Sequence, residues 1–522
     1  MLLAIALTCV LRVESVLEPG DLWFYDFMVQ VRHNLFPPPD KPPVVLIGIT
    51  QGSDGPSLSD DELARALEAL CGARPAVIGM DVLRYPSSRA DDPSRARLNA
   101  TLAAHPEIVG PLVFSQKART LPPQPLLDTH RFGFVDVLVE PAPAPGVRRG
   151  LLYLQDEEIQ ANSFDVELAR RYLRLDAFSF LDAIAENRGG TYTVQFGSGS
   201  IPLLDQDSGG YYHADVGGAQ YLLDYRDNRS FESVRLEQLL QKTFPANSIR
   251  GRIAILGYLD RTEDTFQAPL AHATGSEDWM PGIELHAHTV SQLLRTASGG
   301  NAGTYPAPNW LTNALLLAGA VIGAAIGVWK PERKKGALLA VLGATGLVAL
   351  AGASLLAGYW YAAIPPVTAC LLAAAYVLMR PPRRRIFISY AREDERKVRD
   401  IYSRLETMGY DPWMDRECLA PGEEFELRIR HEIRNADFFL ACLSATAVSK
   451  GGFLRKELTE ALDIWHGKLG SRFRLIPARI EPCEMPQELA DLQWVDLFED
   501  RGWLQLKTSL RSGRGGKKMV IS

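Results

Sequence analysis

Cysteine is scarce in this chain, and its cysteines are not paired in sequence. No two of them form a CxxC motif, which is the usual basis of a structural zinc site. We therefore predict no metal site. Cys71 is the only cysteine between residues 13 and 305, so a disulfide within that segment is excluded. The remaining cysteines are Cys9, Cys370, Cys418, Cys442 and Cys483.

An excess of positive charge is also lacking. The 522 residues carry a net charge of −6, which gives no reason to expect a nucleic acid as partner. The sequence contains no GxxxxGK[ST] phosphate loop, no HExxH motif and no kinase signature. The enzyme classes that depend on these motifs therefore have no support. The length is too great for one hydrophobic core, so two or three domains are expected.

Long apolar runs are concentrated between residues 310 and 379, where only one short basic cluster interrupts them. The first run, WLTNALLLAGAVIGAAIGVW, has 20 residues. At ~1.5 Å per residue it would span about 30 Å, the thickness of the bilayer core. These runs predict three membrane helices at about 310–329, 336–358 and 363–379, within a membrane segment at 309–380. A buried helix of a soluble protein is the alternative.

Basic clusters orient these helices. By the positive-inside rule both clusters face the cytoplasm. This predicts a multi-pass protein of the cell inner membrane, with residues 13–305 periplasmic or extracellular and residues 383–522 cytoplasmic. The clusters consist of Lys330, Arg333, Lys334 and Lys335, and of Arg380, Arg383, Arg384 and Arg385.

The amino-terminal residues MLLAIALTCVL are apolar but short for a membrane span, and no basic segment precedes them. We interpret residues 1–12 as a partial transmembrane segment whose start is truncated. A non-cleaved anchor is the alternative.

Residues 13–305 combine strand-like runs with amphipathic stretches. The runs rich in Val and Ile predict buried strands: PPVVLIGIT, RPAVIGMDVL, EIVGPLVF and GRIAILGY. Between the first two, the pattern DDELARALEALCG predicts a helix that ends at Gly72. The strand–helix–strand order predicts a mixed α/β domain with a largely parallel sheet.

Some polar residues of this segment are candidates for a site. On a strand, Glu284, His286 and His288 of ELHAH would share one face and could bind a metal. The following TVSQLLRT has a helical period, however, and in a helix the two histidines diverge, so a structural role is favoured. Asp81 and Asp224 are interpreted as members of buried ion pairs rather than as catalysts. A binding module is therefore predicted.

Residues 15–300 resemble the CHASE domain of type 2, an extracytoplasmic sensor module of bacterial receptors. The resemblance implies that residues 13–305 sense an unknown extracytoplasmic ligand. The motifs that carry it are structural rather than chemical, so it indicates no catalytic residue. They are DLWFYDFMVQVR, VVLIGIT, GARPAVIGMDVL, YLLDYR, GRIAILGY and MPGIELHAHTVSQLL.

After residue 383 the pattern becomes regular. Strands are predicted for IFISY, YDPWMD, DFFLACLS, FRLIPARI and LQWVDL. Helices are predicted for DERKVRDIYSRLETMG and EFELRIRHEIRNA. This alternation predicts a small doubly wound parallel sheet, with ligands at the carboxyl ends of its strands.

Residues 384–512 resemble a TIR domain, and a flexible tail is predicted at 513–522. IFISYAREDE resembles its first strand and loop, and GYDPWMDRECLAPGEEFELRIRHEIRNADFFLACLS resembles the segment from its second strand to its central strand. GGFLRKELTEAL resembles the helix with the catalytic glutamate of TIR domains that cleave NAD. The chain is thus expected to be an α/β multidomain membrane protein. Its parts would be a mixed α/β sensor domain, a three-helix transmembrane segment and a flavodoxin-like TIR domain with a five-stranded parallel sheet.

One residue of GGFLRKELTEALDIW occupies an unexpected position. On a helical wheel Glu457 falls within the apolar half, between Ile464 and Ala461. The resemblance implies that Glu457 is catalytic in cleaving the bond between nicotinamide and ribose of NAD, which is a substrate rather than a cofactor. A structural glutamate that pairs with Arg428 or Lys450 is the alternative.

The resemblance also implies residues that bind NAD. Tyr390, Asp415 and Ser444 follow the first, second and central strands, and for each a loop cap or turn residue is the alternative. Phe453 lies one turn before Glu457, where active relatives often have a tryptophan. A phenylalanine keeps a ring for stacking but loses the N–H donor.

These features together predict a transmembrane signalling receptor. Its outer domain would control the self-association of TIR domains, which would complete a NAD-cleaving site that is idle in the monomer. The alternative is a non-catalytic adaptor whose TIR domain recruits other TIR proteins. A third interpretation gives the main role to the outer domain, as a dimerising scaffold.

Overall fold

The chain divides into two compact units, Met1–Met379 and Arg380–Ser522. Each unit has its own sheet and its own hydrophobic core. The computed structural model describes residues 1–38, 40–50, 58–84, 92–114, 119–176, 178–186, 192–227, 231–245, 247–260, 264–270, 279–299, 303–329, 333–379, 383–414, 425–450, 457–463 and 474–512.

The first unit combines strands, flanking helices and a group of apolar helices. Its described helices are α1 (Leu2–Val13), α2 (Glu18–Leu35), α3 (Asp60–Gly72), α4 (Pro93–Ala104), α5 (Gln124–Leu127), α6 (Phe164–Tyr172), α7 (Phe180–Ala183), α8 (Leu236–Leu240), α9 (Gly282–Ala297), α10 (Asn309–Trp329), α11 (Arg333–Leu356) and α12 (Ile364–Met379). Its described strands are β1 (Val44–Ile49), β2 (Val77–Met80), β3 (Ile108–Leu112), β4 (Phe132–Phe134), β5 (Arg149–Leu151), β6 (Tyr153–Gln155), β7 (Gln160–Asn162), β8 (Ile184–Glu186), β9 (Tyr192–Phe196), β10 (Gly199–Pro202), β11 (Gln220–Leu222), β12 (Glu232–Arg235), β13 (Ile253–Tyr258), β14 (Thr265–Phe266), β15 (Met280–Pro281), β16 (Tyr305–Pro306) and β17 (Tyr359–Trp360).

The main sheet of this unit has the strand order β12–β1–β13–β2–β3–β4, and all of its pairings are parallel. This confirms the prediction of a largely parallel sheet. Every residue of β1 and β13 is buried, because hydrophobic clusters cover both faces. α3 has the predicted bounds and begins with a capping box, in which Ser59 and Glu62 each bond the backbone N–H of the other.

Two described helices, α10 and α11, are long and apolar enough to cross a membrane. α12 has 16 residues. At ~1.5 Å per residue it measures about 24 Å, which is less than the bilayer core. Of the three predicted spanning helices, two thus have the length of a full span in the described part of the chain, and the third, α12, is shorter. Pro365 and Pro366 lie in the first turn of α12, and proline disfavours helical backbone at the residue before it, so the helix cannot extend further toward its amino end.

Small residues let these apolar helices pack closely. A Cβ atom added to Gly319 of α10 would lie 2.2 Å from the carbonyl oxygen of Pro366, and one added to Gly323 would lie 2.0 Å from that of Cys370. Such close backbone approach is typical of helix pairs in membranes. α1 joins the group, because Ala4 packs in the same hydrophobic cluster as α10 and α12.

The loop between α11 and α12 is built into the core of the first unit. β17 pairs with β16, the strand that precedes α10. Trp360 is 1% exposed, and its ring centroid lies 4.6 Å from that of Tyr25 and 5.3 Å from that of Tyr211. Asp21 of α2 accepts hydrogen bonds of 2.6 and 2.9 Å from the backbone N–H groups of residues 363 and 364. Asp21 thereby caps the amino end of α12.

The second unit is a smaller α/β domain. Its described helices are α13 (Glu395–Thr407), α14 (Phe425–Asn435), α15 (Ala445–Lys450), α16 (residues 457–463) and α17 (Asp500–Ser512). Its strands are β18 (Arg385–Ser389), β19 (Asp411–Trp413), β20 (Phe438–Leu443), β21 (Arg474–Arg479) and β22 (Val495–Asp496). They form a five-stranded parallel sheet in the order β19–β18–β20–β21–β22. This flavodoxin-like order confirms the predicted fold.

Candidate functional site

The carboxyl ends of β18 and β20 lie side by side in the sheet of the second unit. The two strands are parallel neighbours, with Ser389 opposite Ala441. β18 is the first strand of this unit in the chain, and it lies between the second, β19, and the third, β20. The direction in which strands are added to the sheet therefore reverses between β18 and β20. In doubly wound sheets the ligand binds beyond the carboxyl ends of the strands at such a point. A site is therefore expected next to Ser389.

Glu457 reaches this edge from α16. Its side chain is buried, with 6% exposure, and the Oγ of Ser389 donates a hydrogen bond of 2.5 Å to its Oε2. Leu458 and Ala461 of the same helix pack in a hydrophobic cluster with Phe387 of β18. Glu457 thus occupies the apolar side of its helix, as the helical wheel predicts. A hydrogen-bond donor offsets part of the cost of burying its carboxylate.

Salt bridges on the other side of α16 connect it to α14. The carboxylate of Glu460 lies 3.1 Å from Arg430 and 3.5 Å from Arg434. The two arginines are largely exposed, so each pair is worth about 0–1 kcal/mol. The buried contacts of Leu458 and Ala461 therefore contribute most to the position of α16.

Arg428 and Lys450 are the two basic residues that the sequence offers as structural partners of Glu457. The guanidinium of Arg428 lies 3.2 Å from the carboxylate of Glu432, one turn along α14. The side chain of Lys450 lies outside the described residues. The carboxylate of Glu457 is hydrogen-bonded to Ser389.

Ser444 makes the contacts of a helix cap. Its Oγ accepts a hydrogen bond of 3.0 Å from the backbone N–H of Ala447, in the first turn of α15. The same Oγ donates a hydrogen bond of 2.5 Å to the buried carboxylate of Asp394. Ser444 thus has a structural role as a helix cap, and its assignment to NAD binding stays a prediction.

Of the other predicted NAD contacts, Tyr390 directly follows Ser389 in the chain. Tyr390 is buried in the hydrophobic cluster that contains Ile386 and Ile388, whereas Glu457 lies beside the cluster of Phe387. These clusters cover opposite faces of the sheet. Asp415 and Phe453 lie outside the described residues.

Ser389 is the site residue that the sequence analysis did not identify. Alternate residues of β18 point to opposite faces of the sheet, so Phe387 and Ser389 share the face toward α16. A hydroxyl in the last position of β18, directly after three apolar residues, was the available signal. The distance of 68 residues between Ser389 and Glu457 concealed their contact.

Two models of known protein families match the chain. The family model of the CHASE2 domain matches residues 2–327, which is more than half of the chain. The chain belongs to the CHASE2 family. The family model of the TIR domain matches residues 386–507. A CHASE2 domain followed by a TIR domain is the architecture predicted from the sequence, and the two matches confirm it.

Among solved structures, the chain is similar to the TIR domain of the Toll-related receptor TRR-2 from Hydra magnipapillata. The identity is 23%, the match covers 25% of this chain and 98% of the Hydra chain, and the TM-score is 0.21. No curated protein matches the chain.

In the CHASE2 domain, ELHAH lies at the start of α9, and its two histidines diverge. The Nδ1 of His286 lies 2.8 Å from the carboxylate of Asp165, and its Nε2 lies 3.9 Å from that of Asp81. The ring of His288 packs 4.9 Å from that of Phe231. The two histidines therefore have separate partners, which is the structural role favoured from the sequence.

Asp224 is a member of a buried ion-pair network, as predicted. It forms a salt bridge with Arg32 of α2, and both side chains are buried. Arg295 of α9 lies 3.7 Å from it and Arg226 lies 3.9 Å from it. The network therefore joins α2 to α9 within the CHASE2 domain.

His286 predicts how the stability of the CHASE2 domain depends on pH. Burial disfavours the charged imidazolium, but the carboxylates of Asp165 and Asp81 outweigh this effect and raise the pKa of His286 to about 9. The pKa of a histidine in an unfolded chain is about 6.5. The stabilisation is therefore complete below about pH 6.5 and is lost as the pH rises through about 9.

The melting temperature of the full-length chain in detergent is thus expected to fall by a few °C between about pH 6.5 and about pH 9. His286→Gln removes the titrating ring, so the fall should be absent in this variant. An equal fall in wild type and variant would show that other groups cause it.

Proposed function

We propose that the chain is a multi-pass membrane receptor, in which an extracytoplasmic CHASE2 domain senses a stimulus and controls a cytoplasmic TIR domain. The length and apolar composition of α10 and α11 support this. The residues Arg333, Lys334 and Lys335 begin α11, at the end that the positive-inside rule assigns to the cytoplasm. Residues 13–305 would then lie outside. α10 and α11 lead into and back out of the cell, so we propose that α12 also crosses, with local thinning of the bilayer around this shorter helix, and that residues 383–522 lie inside.

The loop between α11 and α12 offers a route for the signal. Trp360 lies in the core of the CHASE2 domain, and Asp21 of α2 caps the start of α12. A change in the CHASE2 core would therefore shift α12, whose other end leads along the chain to the TIR domain. Small shifts of packed helices are a common form of such switching.

For the TIR domain we propose hydrolysis of NAD at the bond between nicotinamide and ribose. The position of Glu457 carries this proposal. It places a buried carboxylate at the carboxyl edge of a doubly wound sheet, where the strand order reverses. Membership of residues 386–507 in the TIR family supports it, because this family includes enzymes that cleave NAD.

The chemistry requires few groups. The nicotinamide nitrogen of NAD is already cationic and leaves with the bonding electron pair, so a strong general acid is not needed. The ribose becomes oxocarbenium-like, as in glycoside hydrolysis. The carboxylate of Glu457 would bind the ribose hydroxyls and stabilise the developing positive charge. Water then adds to the anomeric carbon and loses a proton, which yields ADP-ribose.

Other groups would complete the site. We propose that Tyr390, Asp415, Ser444 and Phe453 contact the nucleotide, as the TIR resemblance implies. Packing of TIR domains against each other would close the site, so that the enzyme is idle as a monomer. The CHASE2 domain would control this association. NAD is the substrate in this scheme, and the stimulus is an unidentified extracytoplasmic ligand.

Ser389→Ala is expected to lower the kcat of NAD cleavage about tenfold and to change KM little. Ser389 donates the hydrogen bond that holds Oε2 of Glu457, so its loss lets the carboxylate adopt other positions. Initial rates of NAD loss with the full-length chain in lipid vesicles measure both constants. Ser403→Ala, an exposed serine of α13, is the control and should match wild type. A normal kcat in Ser389→Ala would contradict the positioning role.

A non-catalytic adaptor is the second candidate function. One observation favours it: Glu457 is buried and hydrogen-bonded to Ser389, as a purely structural glutamate also would be. The TIR domain would then act by recruiting other TIR proteins. In that case Gly422→Pro, between β19 and α14, should abolish signalling, and Glu457→Gln should not.

NAD loss tests the proposed function. The full-length chain is reconstituted at high surface density on lipid vesicles, and nicotinamide release is compared between wild type and Glu457→Gln. Release by wild type alone supports the enzyme, and absence of release above background in both supports the adaptor.

A further inference from the structure

Three side chains with metal-binding atoms meet at one place in the CHASE2 domain. Cys71 lies in the last turn of α3, His105 follows the end of α4, and Glu107 directly precedes β3. One thiol, imidazole or carboxylate atom from each lies within 4.8 Å of those of the other two. The Nδ1 of His105 is 3.2 Å from Oε1 of Glu107. The two segments that supply these residues are separated in the sequence, so no short sequence motif indicates the cluster.

The backbone that carries the cluster is held firmly. The guanidinium of Arg131 donates a hydrogen bond of 2.6 Å to the carbonyl oxygen of His105. The backbone N–H of Ile78, in β2, donates a bond of 2.9 Å to the carbonyl oxygen of Glu107. On the other side, the backbone N–H of Arg74 bonds the carbonyl oxygen of Cys71 at 3.0 Å. Side chains on such fixed segments need little rearrangement to bind a common ion.

The cluster is also open to solvent on one side. The side chains of His105 and Glu107 are 33% and 26% exposed, and Cys71 is half-buried. An ion can therefore enter, and a water molecule can serve as a fourth ligand. The sulfur of Cys71 lies within 4.8 Å of the ligand atoms of both His105 and Glu107. Glu68, one turn before Cys71, is paired with Arg97 and is not needed for the site.

We propose that Cys71, His105 and Glu107 form a binding site for a divalent metal ion of the zinc class, with water in the fourth position. Sulfur, imidazole nitrogen and carboxylate oxygen together suit tetrahedral Zn²⁺, whereas Ca²⁺ and Mg²⁺ prefer oxygen ligands alone. On binding, the thiol of Cys71 loses its proton to solvent and the thiolate becomes a ligand. The site concerns the CHASE2 domain alone and does not depend on NAD cleavage by the TIR domain.

Cobalt(II) is a suitable probe, because a Co²⁺–thiolate bond gives a charge-transfer band in the near ultraviolet. The full-length chain in detergent, freed of metal, should bind one equivalent of Co²⁺ with this band. Zn²⁺ should displace the cobalt, and a large excess of Ca²⁺ should not. His105→Ala and Glu107→Gln should each weaken Co²⁺ binding at least tenfold.

Two cysteine variants make the test specific. Cys71→Ser should abolish the charge-transfer band, and Cys483→Ser, in the TIR domain, should leave it unchanged. Zn²⁺ should raise the melting temperature of wild type and of Cys483→Ser but not that of Cys71→Ser. Without metal, wild type and Cys71→Ser should melt within a few °C of each other, which verifies that the variant folds. Absence of the band in wild type, or its persistence in Cys71→Ser, would overturn the proposal.

Discussion

Glu457→Gln is expected to lower the rate of NAD cleavage by the full-length chain about 100- to 1,000-fold. Glutamine has nearly the same size and still offers an oxygen to the hydroxyl of Ser389, so the local packing should be kept. It is neutral, however, and cannot stabilise the positive charge that develops on the ribose. The measurement is nicotinamide release from chains reconstituted at high density on lipid vesicles, because TIR association is proposed to complete the site.

Glu460→Gln is the matched control for this variant. Glu460 lies on the same helix, but its carboxylate faces Arg430 and Arg434 of α14. The same chemical change there removes only exposed ion pairs, and the rate should stay within about twofold of wild type. If Glu457→Gln and wild type release nicotinamide equally fast, Glu457 is not catalytic. If neither releases nicotinamide above background, the adaptor function is favoured.

Much of the fold could be predicted because local patterns decide it. The sequence SDDE begins α3 with a capping box, and the amphipathic period continues to Gly72, where the helix ends. β1 and β13 are short runs of apolar residues, and they pair at the centre of the main sheet. Neighbouring residues determine such elements through capping, periodicity and burial. Predictions of this kind held in both units.

The length of α12 shows where composition misleads. Residues 363–379 are as apolar as a membrane span, but Pro365 and Pro366 restrict the backbone before them. The preceding residues pair with β16 and enter the CHASE2 core instead. Hydropathy records the polarity of each residue and not its backbone conformation, so it located α12 to within one residue but indicated a full membrane span.

The candidate site could be predicted only in part. A helical wheel places Glu457 on the apolar face of α16, and the structure buries it there. The wheel contains no information about which strand that face meets, so Ser389 stayed unidentified. The cluster of Cys71, His105 and Glu107 was missed for the same reason, since contacts between distant segments depend on tertiary packing.

Trp360→Ala is expected to destabilise the CHASE2 unit by about 3–5 kcal/mol. The indole is 1% exposed and packs on the rings of Tyr25 and Tyr211, so truncation leaves a cavity in the core. A Cβ atom added to Gly209 would lie 2.4 Å from the same indole, so the backbone at Gly209 is also in tight contact with it. Thermal unfolding of the full-length chain in detergent, followed with hydrogen exchange, measures this loss.

Hydrogen exchange also tests whether Trp360 connects the CHASE2 core to α12. In Trp360→Ala the backbone N–H groups of residues 363 and 364 should exchange faster, because the loop that presents them to Asp21 is no longer anchored. β20 of the TIR domain belongs to a separate compact unit, and its exchange should not change. Trp360→Phe should stay close to wild type, since the indole Nε1 has no hydrogen-bond partner among the described residues and a ring still fills most of the space. Unchanged exchange at residues 363 and 364 in a destabilised Trp360→Ala would mean that the cap is independent of the core, and that the signal reaches α12 by another path.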